Sequence, residues 1–222
     1  VKYIFNDISK NYDFLNRFLS LGIDVIWRKR FIKSLSFLNG DKVLDVATGT
    51  GDVAFSIKKK YKTEITGLDL SINMLEIAKK KANKYKFNDI IFIEGDAENL
   101  PFEDNSFDKV VISYGLRNLG DVEKGLKEFY RVLKPGGKLG ILEFFEPKST
   151  IMTKLFKFYF NKVLPRIGSL FSNSKAYRYL PESVENFVSP EELKKLLENS
   201  NFSNCFTKNM SFGITTIINA EK

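Results

Sequence analysis

Five short apolar runs, each rich in β-branched or aromatic residues and separated by stretches of helical periodicity, leave this chain few folds to choose from. They are Val43 to Ala47, Ile65 to Leu70, Ile90 to Ile93, Val110 to Ser113 and Lys138 to Phe144. Runs that stay apolar at consecutive positions suit strands buried on both faces of a parallel sheet. Between them, Leu75, Ala78 and Ala82 share a helical face after a Ser71 cap, and Val122, Leu126, Phe129, Tyr130 and Leu133 repeat after Asp121. The second of these helices is expected to stop at Lys134-Pro135-Gly136-Gly137, which forces a turn into the next strand. A last helix opens at Ser189-Pro190-Glu191-Glu192, an N-cap followed by proline at the first position and a capping-box glutamate, with Leu193, Leu196 and Leu197 as its apolar face. Two final strands follow near Phe202 to Lys208 and Gly213 to Ala220, and the short turn between them makes that pair antiparallel. The expected fold is α/β: a doubly wound, mostly parallel, seven-stranded sheet with an antiparallel final pair.

The 222 residues, 43% of them hydrophobic, suit one domain that buries about 70% of its extended-chain surface. Two stretches stand outside the strand-helix alternation. Residues 1 to 35 place Tyr3, Phe5, Tyr12, Phe14, Phe18, Ile23 and Trp27 among polar positions, as an N-terminal helical cap would. Residues 148 to 183 form an aromatic and basic insertion containing IMTKLFKFYFNKVLPRIGSLF. Either segment could simply cover a sheet face, or serve as a lid over an apolar substrate, since long insertions at loop positions often carry binding sites.

Composition removes several chemistries. The chain has no histidine, which excludes that residue as base, nucleophile or metal ligand, and its single cysteine, Cys205, makes a zinc site unexpected and an internal disulfide impossible. One cysteine and no apolar run of about 18 residues lead to the expectation of a soluble cytoplasmic protein. The net charge of +8 comes from 35 Lys and Arg interspersed with 27 Asp and Glu. Without a clustered basic stripe or an aromatic stacking motif, nucleic acid is not the expected partner; an anionic membrane surface could use this charge in transient contact, although interspersed charge is also ordinary on solvated helix faces. A homodimer is compatible with the sequence, which does not fix an oligomeric state.

The stretch DVATGTGD, residues 45 to 52, begins inside a strand and ends at a helix start, so its glycines lie at the carboxyl end of the sheet, where open α/β folds bind ligands. Gly49, Gly51 and Ala54 fit the short G-x-G-x-x-G/A pattern that dinucleotide enzymes also use. Three carboxylates shift the reading. Asp45 precedes the glycines, where it suits a cationic or amine-bearing ligand better than a pyrophosphate. Asp69 ends the next strand, positioned to accept from ribose hydroxyls, and Asp96 follows the third strand, positioned to accept from an exocyclic adenine amine. Together with the antiparallel ending, this resembles the Class I methyltransferases that use S-adenosylmethionine (SAM). An NAD-linked oxidoreductase and a nucleic-acid-binding module are the alternatives from other classes.

The resemblance narrows at YDFLNRFLSLGIDVIW (12 to 27), DVATGTGD (45 to 52), DAENLPF (96 to 102), SYGLRNL (113 to 119), RVLKPGGKL (131 to 139), LPRIGSL (164 to 170) and YRYLPESV (177 to 184). These blocks are similar to the menaquinone and ubiquinone biosynthesis C-methyltransferases. The resemblance implies SAM-dependent methylation of a ring carbon of a prenylated hydroquinone, demethylmenaquinol or a methoxy-polyprenyl-benzoquinol, at the inner face of the cytoplasmic membrane. It implies SAM contacts at Thr50, Asp69, Asp96, Ala97 and Ser113 and a catalytic pair of Arg117 and Asn118, and the glycine turn and strand ends add Asp45, Thr48, Gly49, Gly51 and Leu70 to the expected cofactor set. Tyr12, Asp13, Tyr114, Tyr177 and Tyr179 are candidate ring contacts, each offering an apolar body with a polar tip or an acceptor. Phe156, Phe158, Tyr159 and Phe160, beside Lys154, Lys157 and Lys162, are placed to take up a prenyl chain against a membrane.

Methyl transfer from a sulfonium needs an aligned nucleophile and a short donor distance. Carbon becomes an adequate nucleophile when the neighbouring ring hydroxyl ionises. Arg117 is a poor base because a guanidinium stays charged. The expected role is therefore electrostatic: Arg117 stabilises the developing quinolate and, with Asn118, orients a water that takes the proton.

Overall fold

The computed structural model describes residues 17, 20, 22–147, 150–159 and 175–222. Its centre is a seven-stranded sheet ordered β3-β2-β1-β4-β5-β7-β6. The strands are β1 (Lys42–Val46), β2 (Glu64–Asp69), β3 (Ile91–Glu94), β4 (Phe107–Ser113), β5 (Leu133–Phe144), β6 (Ser203–Met210) and β7 (Thr215–Glu221). The first five run parallel to one another, and β7 lies antiparallel to both β5 and β6. The final antiparallel pair is thus as the sequence predicts. The helices are α1 (Ile23–Ser34), α2 (Asp52–Lys58), α3 (Ile72–Tyr85), α4 (Val122–Val132), α5 (Thr150–Phe158), α6 (Lys175–Glu185) and α7 (Pro190–Asn199).

The strands form as they do because consecutive apolar residues serve opposite faces. Leu44, Val46, Val110 and Ile112 pack with Leu126 and Phe129 of α4 and with Leu193 and Leu197 of α7. Val43 and Val111 point the other way, to Trp27, Phe31 and Ile32 of α1 and Phe55 of α2. Phe31 and Phe129 are fully buried, and each such burial stabilises the fold by about 2 kcal/mol. The predicted helix starts hold: Ser71 accepts from Met74 N, Asp121 from Lys124 N, and Ser189 and Glu192 complete a reciprocal capping box.

Strand ends shift by up to three residues elsewhere, as at β4, which starts at Phe107 instead of Val110, and the largest difference is at β5. The strand expected from Lys138 begins at Leu133, so the KPGG segment lies within β5. Leu133 pairs with Phe107 while Lys138 pairs with Lys109, leaving KPGG as an irregularity that accommodates the proline. Gly136 supplies a φ of 76° there, and its N–H donates to the Lys222 carbonyl.

The chain leaves β1 toward β2 and β3, then crosses back to place β4 on the other side of β1. The crevice created by that reversal lies beyond the carboxyl ends of β1 and β4, the preferred ligand position in such sheets. Above it, Phe156 of α5 and Val184 of α6 form a small separate cluster with Phe144, Tyr159, Leu180 and Ile214.

Candidate active site

The glycine turn wraps the end of β1 into α2 through three left-handed residues, Ala47 (φ 52°), Gly49 (φ 56°) and Gly51 (φ 85°). The two glycines have different reasons to be there. A Cβ on Gly51 would stand 2.7 Å from the Phe55 ring, whereas a Cβ on Gly49 would meet nothing within 4 Å. Gly51 therefore allows close packing, and Gly49 opens onto the crevice. Asp69 anchors the turn from the next strand: its Oδ2 accepts from Gly49 N and its Oδ1 from Ser71 N, both at 2.8 Å. Burial raises its pKa, with the two amides pulling against that shift.

Asp45 lies beneath the turn, 1% exposed. Its Oδ2 accepts from Thr48 Oγ1 at 2.7 Å and from Ala54 N at 3.2 Å. Burial, opposed by those two bonds, pushes its pKa up to about 7. Thr48 and Thr50 are also buried, and Thr50 Oγ1 accepts from Lys81 Nζ at 3.1 Å. The same lysine reaches Asp52 Oδ1 at 2.5 Å, and Arg28 of α1 bridges Asp52 Oδ2 at 2.6 Å to Asp24 Oδ2 at 2.8 Å. Burial alone would raise the Asp52 pKa, but Arg28 and Lys81 together bring it below the ordinary value. An ionic cluster thus fastens α1 to the first turn of α2, directly behind the glycines.

The crevice holds about 640 Å³ of space, solvent at its mouth included, and is lined by Ala47, Gly49, Leu68, Asp69, Leu70, Met74, Gly95, Ala97, Ser113, Tyr114, Gly115, Asn118 and Leu119. Its walls are largely apolar, with a few convergent polar groups, as ligand sites generally are. Seven of the sequence-predicted residues meet here: Gly49, Asp69, Leu70, Ala97, Ser113, Tyr114 and Asn118. Asp45, Thr48, Thr50 and Gly51 form the floor and hinge of the turn instead of its lining. Asp96 sits at an exposed turn outside the lining set, where its Oδ1 accepts from Glu98 N at 2.9 Å. Tyr12, Asp13, Phe160 and Lys162 lie outside the described residues, as does the side chain of Tyr177 within α6.

At the far end, a 3-10 turn at Leu116–Asn118 follows β4. Arg117 does not line the crevice. Its side chain is 5% exposed, with NH1 2.6 Å from Glu143 Oε1 and 2.7 Å from the Tyr114 carbonyl, while Nε donates to Ser183 Oγ of α6 at 3.1 Å. The expected approach of Arg117 to a developing quinolate is therefore not what the geometry favours, because Glu143 already neutralises the guanidinium. Asn118 does face the crevice. Its Nδ2 donates to the Tyr114 carbonyl at 3.2 Å, and its Oδ1 accepts from Tyr179 OH at 2.9 Å. Burial raises the Tyr179 pKa, so that hydroxyl keeps its proton at neutral pH. The Tyr114 ring stacks on Phe144 with centroids 4.3 Å apart, and burial raises its pKa strongly.

Sequence reasoning missed Glu143, Ser183, Gly115, Gly95, Met74 and Leu119. Glu143 had a signal, an acid inside the otherwise apolar run ILEFF. Gly115 is required by a close approach, since a Cβ there would stand 2.6 Å from Ala47 Cβ, a contact between segments 68 residues apart that no local pattern reports.

The sequence signature of the ubiE/COQ5 methyltransferase family matches residues 1–222. A ubiquinone/menaquinone biosynthesis C-methyltransferase UbiE from Geotalea daltonii is 43% identical over 225 residues, covering 100% of this chain and 96% of its own. A demethylmenaquinone methyltransferase from Chlorobaculum tepidum is 44% identical over 227 residues, covering 100% of this chain and 92% of its own. Among solved structures, a SAM-dependent methyltransferase from Thermotoga maritima superposes with a TM-score of 0.72 over 100% of both chains at 23% identity, a likeness that speaks to the fold alone. A full-length family match, on a sheet whose glycine turn, Asp69 and β4 terminus converge on one crevice, makes this chain a member of the ubiE/COQ5 methyltransferase family.

Proposed function

We propose that the protein transfers a methyl group from SAM to a ring carbon of a prenylated hydroquinone, converting demethylmenaquinol to menaquinol. The observation that carries this reading is the full-length similarity to relatives named for demethylmenaquinone, on a chain whose crevice joins a nucleoside-suited end to a polar, aromatic end. Relatives named for both ubiquinone and menaquinone favour a second ring, a 2-methoxy-6-polyprenyl-1,4-benzoquinol, as an alternative acceptor.

The residues present suit SAM. Asp69, fixed by two amides, retains lone pairs for ribose hydroxyls, Leu70, Met74 and Ala97 offer apolar surface to a base, and Gly49 leaves open space where the turn meets the crevice. When bound, SAM supplies an electrophilic methyl on a sulfonium. In this reading Asn118, its Oδ1 fixed by the Tyr179 hydroxyl, holds the ring oxygen next to the carbon that is methylated and aligns it with the donor. Asn118 has a second N–H beyond the one used on the Tyr114 carbonyl, available to an ionised ring oxygen. Solvent would take the hydroxyl proton. The new C–C bond would form as the methyl–sulfur bond of the donor breaks, leaving a neutral thioether. Loss of the ring C–H proton to solvent, with return of one proton to the ring oxygen, would restore the aromatic quinol. Arg117 contributes by support rather than by contact.

Residues 1 to 35 and 148 to 183 act in this reading as cap and lid of a single methyltransferase domain. Lys154, Lys157 and Phe158 of α5 are exposed, which supports prenyl-chain uptake during transient contact with an anionic bilayer. No helix among the described residues is long and apolar enough to cross a membrane. Labelled SAM offered with demethylmenaquinol and with the benzoquinol, side by side, tests the reading. Retained SAM binding with no transfer to either ring would reject the quinol acceptor, and dinucleotide binding in place of SAM would reject the enzyme class.

A further inference from the structure

We infer that Glu143 is a positioning residue for methyl transfer, which acts through Arg117 to set the acceptor end of the crevice and the seat of α6. This rests on the quinol-methylation reading for its assay and goes beyond it in assigning the residue. Glu143 is wholly buried on β5, between Leu142 and Phe144. Its Oε1 accepts from Arg117 NH1 at 2.6 Å and from Phe144 N at 2.8 Å, and its Oε2 accepts from Arg117 N at 3.3 Å. Both carboxylate oxygens are thus directed at the backbone and side chain of one residue, the centre of the 3-10 turn that carries Asn118.

From Arg117 the contacts divide. NH1 also donates to the carbonyl of Tyr114, whose φ of 57° is a left-handed conformation unusual for a bulky aromatic residue. That same carbonyl accepts from Asn118 Nδ2, so the group aiming the crevice-facing amide is itself held by the ion pair. Nε donates to Ser183, whose hydroxyl donates to Leu180 O one turn back on α6. One turn before Ser183 on the same helix, Tyr179 donates to Asn118. Residues 117 and 118 therefore grip α6 at two successive turns, and Glu143 stands behind both grips.

Stability alone is a poor reason for such a pair. Apolar residues of similar volume commonly serve a buried site as well as an ion pair or better, whereas registry is something an ion pair can supply. The donor end is built from different parts: Asp69 is held by Gly49 and Ser71 and, among the described residues, makes no hydrogen bond to Glu143, Arg117 or Asn118. The two ends should consequently separate when Glu143 is changed.

The test measures SAM binding by calorimetry and quinol turnover for wild type, Glu143→Gln and the paired replacement Glu143→Leu with Arg117→Met. Wild-type turnover first establishes the acceptor, so failure of that reading shows before any variant is made. We expect kcat/KM for the quinol to fall about 100-fold in both variants, the scale of a misplacement of about 1 Å, while the Kd for SAM stays within about twofold of wild type. The paired replacement removes the unpaired-charge problem that could unfold Glu143→Gln. Near-wild-type turnover in the paired replacement, or SAM affinity falling in step with turnover, would overturn the inference. Should neither protein fold, Ser183→Ala cuts only the link from Arg117 to α6, and must raise the quinol KM without changing SAM affinity. An unchanged quinol KM there rejects the assignment.

Discussion

Asp69→Asn asks most of the donor end with the least change of shape. The native carboxylate receives two backbone N–H groups, Gly49 on Oδ2 and Ser71 on Oδ1, each at 2.8 Å. A carboxamide has one acceptor oxygen and one NH2, so whichever way it is turned it meets one amide correctly and points a donor at the other. Losing one hydrogen bond to a charged group costs about 1.5–3 kcal/mol, part of it as an unsatisfied amide at Gly49 or Ser71. SAM binding suffers a loss of similar size, because the remaining lone pairs that suit ribose hydroxyls lose their charge. That corresponds to a Kd weakened by about 10- to 100-fold. Asp69→Ala removes every acceptor and sets the lower limit. The measurement is calorimetric titration with SAM, alongside urea unfolding of the ligand-free protein. If Asp69→Asn bound SAM as tightly as wild type, Asp69 would not be reading the nucleoside, and the donor site would have to be rebuilt from other residues.

Asp45 makes the protein's pH dependence testable. Its folded pKa of about 7 lies above the ordinary aspartate value of 3.8, so the folded state holds the proton longer, and this residue's contribution to stability falls as pH rises between those values and is flat above them. Unfolding measured across that range should show the slope in wild type and not in Asp45→Asn, whose single acceptor oxygen can still take Thr48 and Ala54. A cationic ligand favours the ionised carboxylate, so SAM affinity should rise with pH up to about 7 in wild type and stay level in Asp45→Asn. Equal pH profiles would disconnect Asp45 from the cofactor. Gly115→Ala should weaken SAM binding and turnover together, because its Cβ would stand 2.6 Å from Ala47 Cβ and force the two crevice walls apart. Ala47→Gly should rescue it, since it deletes the opposing methyl and suits a φ of 52°. A double variant no better than Gly115→Ala would place the damage elsewhere.

Much of the fold was written locally. A strand or helix is specified by the period of its apolar residues and by its caps, and Ser71, Asp121, Ser189 and the five apolar runs carry that information within a few residues each. The end of β2 had to deliver Asp69 next to the glycine turn, because adjacent parallel strands align their carboxyl ends. KPGG was harder to place, since proline and glycine announce an interruption without saying whether it falls before a strand or inside one.

By itself, then, the sequence determined the alternation, the sheet, the glycine turn and the acids that follow the first strands. Only the tertiary structure decided which of those acids face the crevice and which support it. Asp45, Asp69 and Asp96 look alike as strand-end carboxylates, yet one is buried under the turn, one lines the crevice and one caps an exposed turn. The same holds for Arg117, whose residue type suggested a free charge near the substrate. Its charge is spent on Glu143, 26 residues away, and its reach extends to Ser183, 66 residues away. Local patterns report periodicity and capping because those interactions act over a few residues. Burial, pairing and orientation depend on what the fold brings alongside, and a charged side chain acquires its role only when its partner is in place.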